Sequence, residues 1–192
     1  MGRQYIYGFG TIKESKVDDV VVNGTAVVES DLEANDIKVN GHAHFQHNVK
    51  ADEIRISGSS NFDANIKCDD FILEGAANIR GDLEADTCNI SGKVTIQGDL
   101  NAEEMKIASK VSNFNNIYGN YLSTENRGEY SSKYHCLANE IEVTVIHIEN
   151  FEAKRVAGAN VTIGANCIID LVEFSETLEI HKTAQIKKIV KI

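Results

Sequence analysis

The sequence predicts an all-β chain coiled as a parallel β-solenoid, and three observations carry that expectation. Glycine recurs at Gly24, Gly41, Gly58, Gly75 and Gly92, each 17 positions after the last, and fixed-period self-similarity marks a repeat architecture. Within a repeat the inward candidates fall on alternate positions, as at Val20, Val22, Ala26, Val28 and Leu32; a period of two is strand spacing, not helix spacing. The unit is also too short for a strand plus a crossover helix, which takes roughly 30 residues. One solenoid turn per repeat is the economical solution, each coil stacked on the last at about 4.8 Å.

Stacking turns sequence columns into ladders. Val22, Val39, Ile56, Leu73, Ile90 and Ile107 form one; Val28, Phe45, Phe62, Ile79 and Ile96 a second; Leu32, Val49, Ile66, Leu83 and Leu100 a third. A small-residue column follows at Ala34, Ala51, Cys68, Ala85 and Ala102. The glycines are expected at a corner that needs positive φ or close backbone approach. Asp31, Asn48, Asn65, Asp82 and Asp99 make a second corner column, of residue types that tolerate the left-handed region and bond their own backbone.

In chain order, residues 1–16 fall outside the repeat and hold the aromatic cluster Tyr5, Ile6, Tyr7 and Phe9. An end coil lacks a neighbour on one side, so this segment reads as an N-terminal cap over the apolar cross-section or as a subunit contact, with contact at the membrane periphery the lesser alternative because only a few apolar residues are on offer. Residues 17–111 are the repeat block. Residues 112–139, polar and tyrosine-bearing (Asn113, Asn115, Asn116, Tyr118, Tyr121, Arg127, Tyr130, Tyr134), lose the register and read as an insertion from the rod that could hold a partner. Residues 140–192 return as degraded coils: Leu178 and Ile180 follow Val161 and Ile163 by 17. The chain closes on Ile186, Ile189, Val190 and Ile192 among Lys187, Lys188 and Lys191, an edge strand with lysine gatekeepers or one end of a subunit interface. If about 165 residues are coils, there are nine or ten, giving a rod of roughly 45 Å.

The net charge of −10 and a pI near 5.0 make nucleic acid a poor partner. No apolar run approaches a membrane helix and Met1 to Gly10 lacks a signal-peptide core, so a cytoplasmic chain is expected. Gly2 invites a myristoylation reading, but Ile6 stands where that pattern requires Ser or Thr. The four cysteines show no paired spacing and read as reduced structural thiols, Cys68 and Cys88 within apolar columns.

Two features invite a metal reading. Asn35, Asp52, Asp69, Asp86 and Glu103 stack beside Asp36, Glu53, Asp70, Thr87 and Glu104; the column suits a solvated corner that blocks lateral strand aggregation better than a Ca²⁺ site, since the glycine-rich nonapeptide of calcium β-rolls is missing. Lys38, Arg55 and Lys106, two places on, partly neutralise it. His42 and His44 share the outward face of one strand, a spacing that suits one metal, yet no carboxylate or thiol completes a ligand set within the motif. Solvated histidines are the better reading, and no metal or other cofactor is expected.

The runs IKVNGHAHFQHNVKAD, FILEGAANIRGDLEAD and CNISGKVTIQGDLNAE resemble the bactofilin, or polymer-forming cytoskeletal, family. Its repeated G-x-[AV]-x-[IV]-x-G-[DN]-[ILV]-x-[AS] pattern stands at Gly75 to Ala85 and Gly92 to Ala102, and the resemblance covers roughly Val17 to Ile107. It implies a right-handed β-helix that self-assembles end to end into nucleotide-independent bacterial filaments. A non-enzymatic scaffold is therefore expected, with Tyr5, Ile6, Tyr7 and Phe9 at one end and Ile186, Ile189, Val190 and Ile192 at the other as contacts between copies. Two alternatives compete. VTIGANCIID at 161–170 looks like the hexapeptide signature of left-handed β-helix acyltransferases, with His147 or His181 as general base, but that fold takes about 18 residues per coil. A protein-binding solenoid would instead present its flat faces or the 112–139 segment. No Walker loop, nucleophile elbow, CxxC or HExxH motif points to other chemistry.

Overall fold

The computed structural model describes residues 2–109, 111–125 and 136–192. The first coil holds β1 (Gln4–Ile6) and β2 (Phe9–Ile12), the second β3 (Asp19–Val22) and β4 (Thr25–Val28). Then come β5 (Leu32–Val39), β6 (His42–Phe45), β7 (Val49–Ile56), β8 (Ser59–Phe62), β9 (Ile66–Leu73), β10 (Ala76–Ile79) and β11 (Leu83–Ile90). Longer strands complete the rod: β12 (Lys93–Ile107), β13 (Asn113–Thr124), β14 (Cys136–Ile148), β15 (Phe151–Ile163), β16 (Ile168–Ile180) and β17 (Gln185–Lys191). Every pairing between them is parallel, in about ten turns of roughly 17 residues, and the described residues contain no helix.

The ladders are physical. Val39 pairs with Ile56, Ile56 with Leu73, Leu73 with Ile90 and Ile90 with Ile107, all at most 2% exposed. In the neighbouring column the rings of Phe45 and Phe62 stack with centroids 4.5 Å apart, as coil spacing dictates for like residues one above another. Each coil presents three faces between three corners, and a single apolar core runs the length of the rod.

The corners explain their residues. A Cβ on Gly41 would lie 2.0 Å from the Gly24 carbonyl oxygen, and Gly58, Gly75 and Gly92 meet the glycine one coil earlier in the same way. Close approach, not positive φ, demands glycine there. The column extends back to Gly8, whose carbonyl stands under Gly24. At the second corner the side-chain oxygens of Asp31, Asn48, Asn65 and Asp82 accept from the backbone N–H groups of Asn48, Asn65, Asp82 and Asp99, at 2.8 to 3.2 Å. The expectation that these residues sit left-handed and bond their own backbone is corrected: among the described non-glycine residues, positive φ occurs at Asn150 and Asn166, and the Asp/Asn column ties each coil to the next.

Two segments differ from the sequence reading. Residues 4–12 do not lie apart from the repeat as a cap: Gln4 to Ile6 pair with Val20 to Val22, and Phe9 to Ile12 with Thr25 to Val28, a coil one residue shorter than the 17-residue coils that follow it. Nor do the two ends of 112–139 leave the rod. Asn113–Thr124 is a full strand between β12 and β14, with Phe114, Ile117 and Leu122 in the core, and the segment from Cys136 is strand again. The signal was lost because Thr95 pairs with Asn113, 18 residues on, before the 17-residue offset resumes at Asp99 and Asn116. Arg127, Tyr130 and Tyr134 lie outside the described residues. Farther on, the same stack continues with shorter coils, Ile141 pairing with Val156 and Val156 with Val172, and Val161 pairs with Leu178 and Ile163 with Ile180.

Candidate functional site

The two ends of the rod differ. At the N-terminal end Ile6 takes the inward column of Val22, and its Cδ1 lies 2.6 Å from where a Cβ on Gly10 would stand. Gly10 occupies the place of Ala26 and Ala43 one and two coils on. The missing methyl lets Ile6 fold across the opening, and Ile12 and Val17 behind it are 1% and 5% exposed. The C-terminal end has no such closure. Ile189 continues the column of Ile141, Val156 and Val172, each 0% exposed, yet is itself 48% exposed. Ile180 continues Ile148 and Ile163 and is 43% exposed. Leu178 and Ile186 pack half-buried beside them.

The expected contact residues divide accordingly. Tyr5 pairs beside Val21 and Phe9 beside Thr25, both outward columns, so with Tyr7 they stand on the flank of the first coil and not across its end. All three are exposed, and the Tyr5 and Tyr7 rings stack at 6.5 Å. Of that cluster Ile6 alone faces inward. At the other end Ile186 and Ile189 face inward, Val190 pairs beside Glu173 on the outer surface, and Ile192 is 68% exposed with its N–H donating to Phe174. Lys187 pairs with Asp170 at 2.6 Å and Lys191 lies over the Phe174 ring. Sequence reasoning missed Ile180 and Leu178 as end residues; the available signal was that each is the last member of its column.

Both ends carry open strand edges. Among the described residues β1 pairs with β3 alone, β2 with β4 alone and β17 with β16 alone. Unpaired backbone groups beside a half-exposed apolar cross-section are what another parallel coil needs.

The polar features are occupied by one another. His42 Nδ1 lies 2.7 Å from the Ser59 hydroxyl, and His44 Nε2 lies 2.7 Å from Asp63, which also accepts from Arg80 at 2.7 Å. The carboxylate partner of His44 comes from the next coil, where a search within the motif does not look. In the acid columns burial and then Asp19, Glu53 and Asp52 push the Asp36 carboxyl up. Arg55 and Lys106 pair with Glu53 and Glu104 at 3.2 and 2.6 Å. Among the described residues no group of three His, Cys, Asp or Glu is disposed to hold a metal ion. His147 stands beside the Tyr121 ring, and His181 bonds the Thr183 hydroxyl on an exposed turn at 2.9 Å. The four cysteines are free and buried. No helix among the described residues is long and apolar enough to cross a membrane.

Residues 7–81 match the family model described as Bactofilin, polymer-forming cytoskeletal. No curated protein and no solved structure matches the chain.

Proposed function

We propose, from the match of residues 7–81 to the bactofilin family model, that this chain is a non-enzymatic cytoplasmic scaffold whose copies join through the ends of the solenoid into polymers that need no nucleotide. The observation that carries the reading is the half exposure of Ile180 and Ile189, members of columns that are at most 2% exposed inside the rod. Apolar surface of this kind is stabilised when covered, by about 25 cal/mol per Å², and a second coil end supplies a cover of the same shape. Open strand edges add directional backbone hydrogen bonds to that burial. Right-handed winding is part of the proposal, because parallel connections between twisted strands favour that hand.

Ile6 belongs to the opposite contact, where the sealed core leaves edge pairing as the attraction and Tyr5 and Tyr7 flank the joint. The test is sedimentation of the purified chain and of Ile189→Glu with neither nucleotide nor metal added. Polymers are expected from the first and a marked loss of them from the second, with the far-ultraviolet spectrum unchanged. Polymers undiminished by Ile189→Glu would remove the C-terminal end from the account.

A further inference from the structure

Over its first five coils one face of the rod differs from the other two in charge; the sixth coil ends that stretch by pairing Lys93 with Ala76. None of β2, β4, β6, β8 and β10 carries a Lys, Arg, Asp or Glu, in a chain that is 25% charged with a net charge of −10. Its outward residues are of the kind of Thr25, His42, Ser59, Asn61 and Asn78. The adjoining faces are charged: Asp19, Asp36, Glu53 and Asp70 stack in register on one, and Glu33, Lys50, Lys67 and Glu84 on the other. At the corner beside the neutral face, Asp63 is tied to His44 and Arg80.

We propose that this neutral face is a lateral docking face for a second copy of the chain, laid antiparallel. Two strongly acidic rods repel wherever charged faces meet, and depletion of charge distinguishes the centre of protein interfaces from the rest of the surface. Orientation follows from the columns. A two-fold axis across the rod sets each column against itself in reverse order. With His42 at the pivot, Phe9, 77% exposed, meets Ala76, the smallest outward residue of its column. A large ring over a small residue is the packing that anchors an interface. In a parallel pair related by an axis along the rod, Phe9 meets Thr11 instead and nothing is filled.

The face is four residues wide and five coils tall, about 300 Å² per copy or roughly 600 Å² for the pair from strand dimensions, half the roughly 1,200 Å² in all that a stable pair buries. Lateral pairing is accordingly weak between single subunits and accumulates along a polymer; in that respect it rests on the proposed function.

The test is oxidative cross-linking of Phe9→Cys/Ala76→Cys against the control Phe9→Cys/Thr162→Cys, whose second site lies on another face. The native thiols are buried and do not compete. Disulfide-linked dimers several-fold above the control are expected, and Ala76→Arg should leave single filaments where the parent chain gives paired ones. Equal cross-linking in the two double variants overturns the proposal. So does saturable binding of a neutral polysaccharide that Ala76→Arg abolishes while cross-linking stays at the control level. Cross-linking is read on sedimented polymer, so the two readings fail differently: no polymer in any variant defeats the end-to-end account, whereas polymer cross-linked no more than the control defeats the lateral face alone.

Discussion

The α-carbon of Gly41 stands so close to the Gly24 carbonyl that a methyl group on it would lie 2.0 Å from that oxygen. Nothing in the backbone between two stacked coils can yield without breaking the ladder on both sides. Gly41→Ala is expected to cost about 3 kcal/mol or more, read as a lowered denaturation midpoint. Gly8→Ala is the contrast, because no atom lies within 4 Å of the added carbon. It should change subunit stability by less than about 0.5 kcal/mol.

Asn65 ties three coils at one corner. Its N–H donates to Asn48 Oδ1 at 3.2 Å and its own Oδ1 accepts from the Asp82 N–H at 2.9 Å. Asn65→Ala removes the acceptor and leaves the Asp82 donor to water, for a loss of about 1 kcal/mol. Asn65→Asp keeps the acceptor and should retain most of the stability. Chemical denaturation of the two variants separates these outcomes.

The thiols supply a pH dependence. Burial pushes Cys68 up to about 12 and Cys136 and Cys167 to about 11, and raises Cys88 as well. A thiol raised on folding stabilises the native state while it stays protonated, and that contribution is lost as pH climbs from the ordinary thiol range toward the folded value. Stability should therefore fall between about pH 9 and 11, and less steeply in Cys68→Ala. At pH 8 a thiol reagent should label all four cysteines in denaturant and almost none in the native rod.

How much of this was legible beforehand depended on constant coil length. From Gly24 to Ile107 every column could be read, because a fixed offset of 17 makes likeness along the sequence equal to contact in space. The first coil is one residue shorter, which hid Gly8 from the glycine column and made Tyr5, Tyr7 and Phe9 look like a cluster when they are alternate outward positions. The irregularity between Ile96 and Asp99 did the same to Asn113–Thr124. Exposure at the C-terminal end was legible only in part. Ile189 reads as an end contact, whereas Ile180 and Leu178 do not, because their alternation is the same as that of buried core residues.

Arg155 ties three adjacent strands, β14 to β16, by charge. It donates to Glu142 at 2.9 Å, to Glu173 at 2.6 Å and to Glu140, reaching strands on either side of its own. Hydrogen bonds to Glu142 and Glu173 hold its guanidinium protonated well beyond the usual range. Arg155→Gln leaves three neighbouring carboxylates without their cation and should cost about 1–2 kcal/mol, at the low end because the side chain is 33% exposed. Added salt should narrow the gap between the variant and the parent chain, since screening weakens the repulsion among the acids.

The claim that stacked coils continue from one copy into the next is tested most directly by negative-stain microscopy of the purified chain, with no nucleotide added. The account predicts filaments with an axial subunit spacing of about 45 to 50 Å, the height of about ten coils. Separate short rods at every concentration, with Ile180 and Ile189 left open to water, would contradict it.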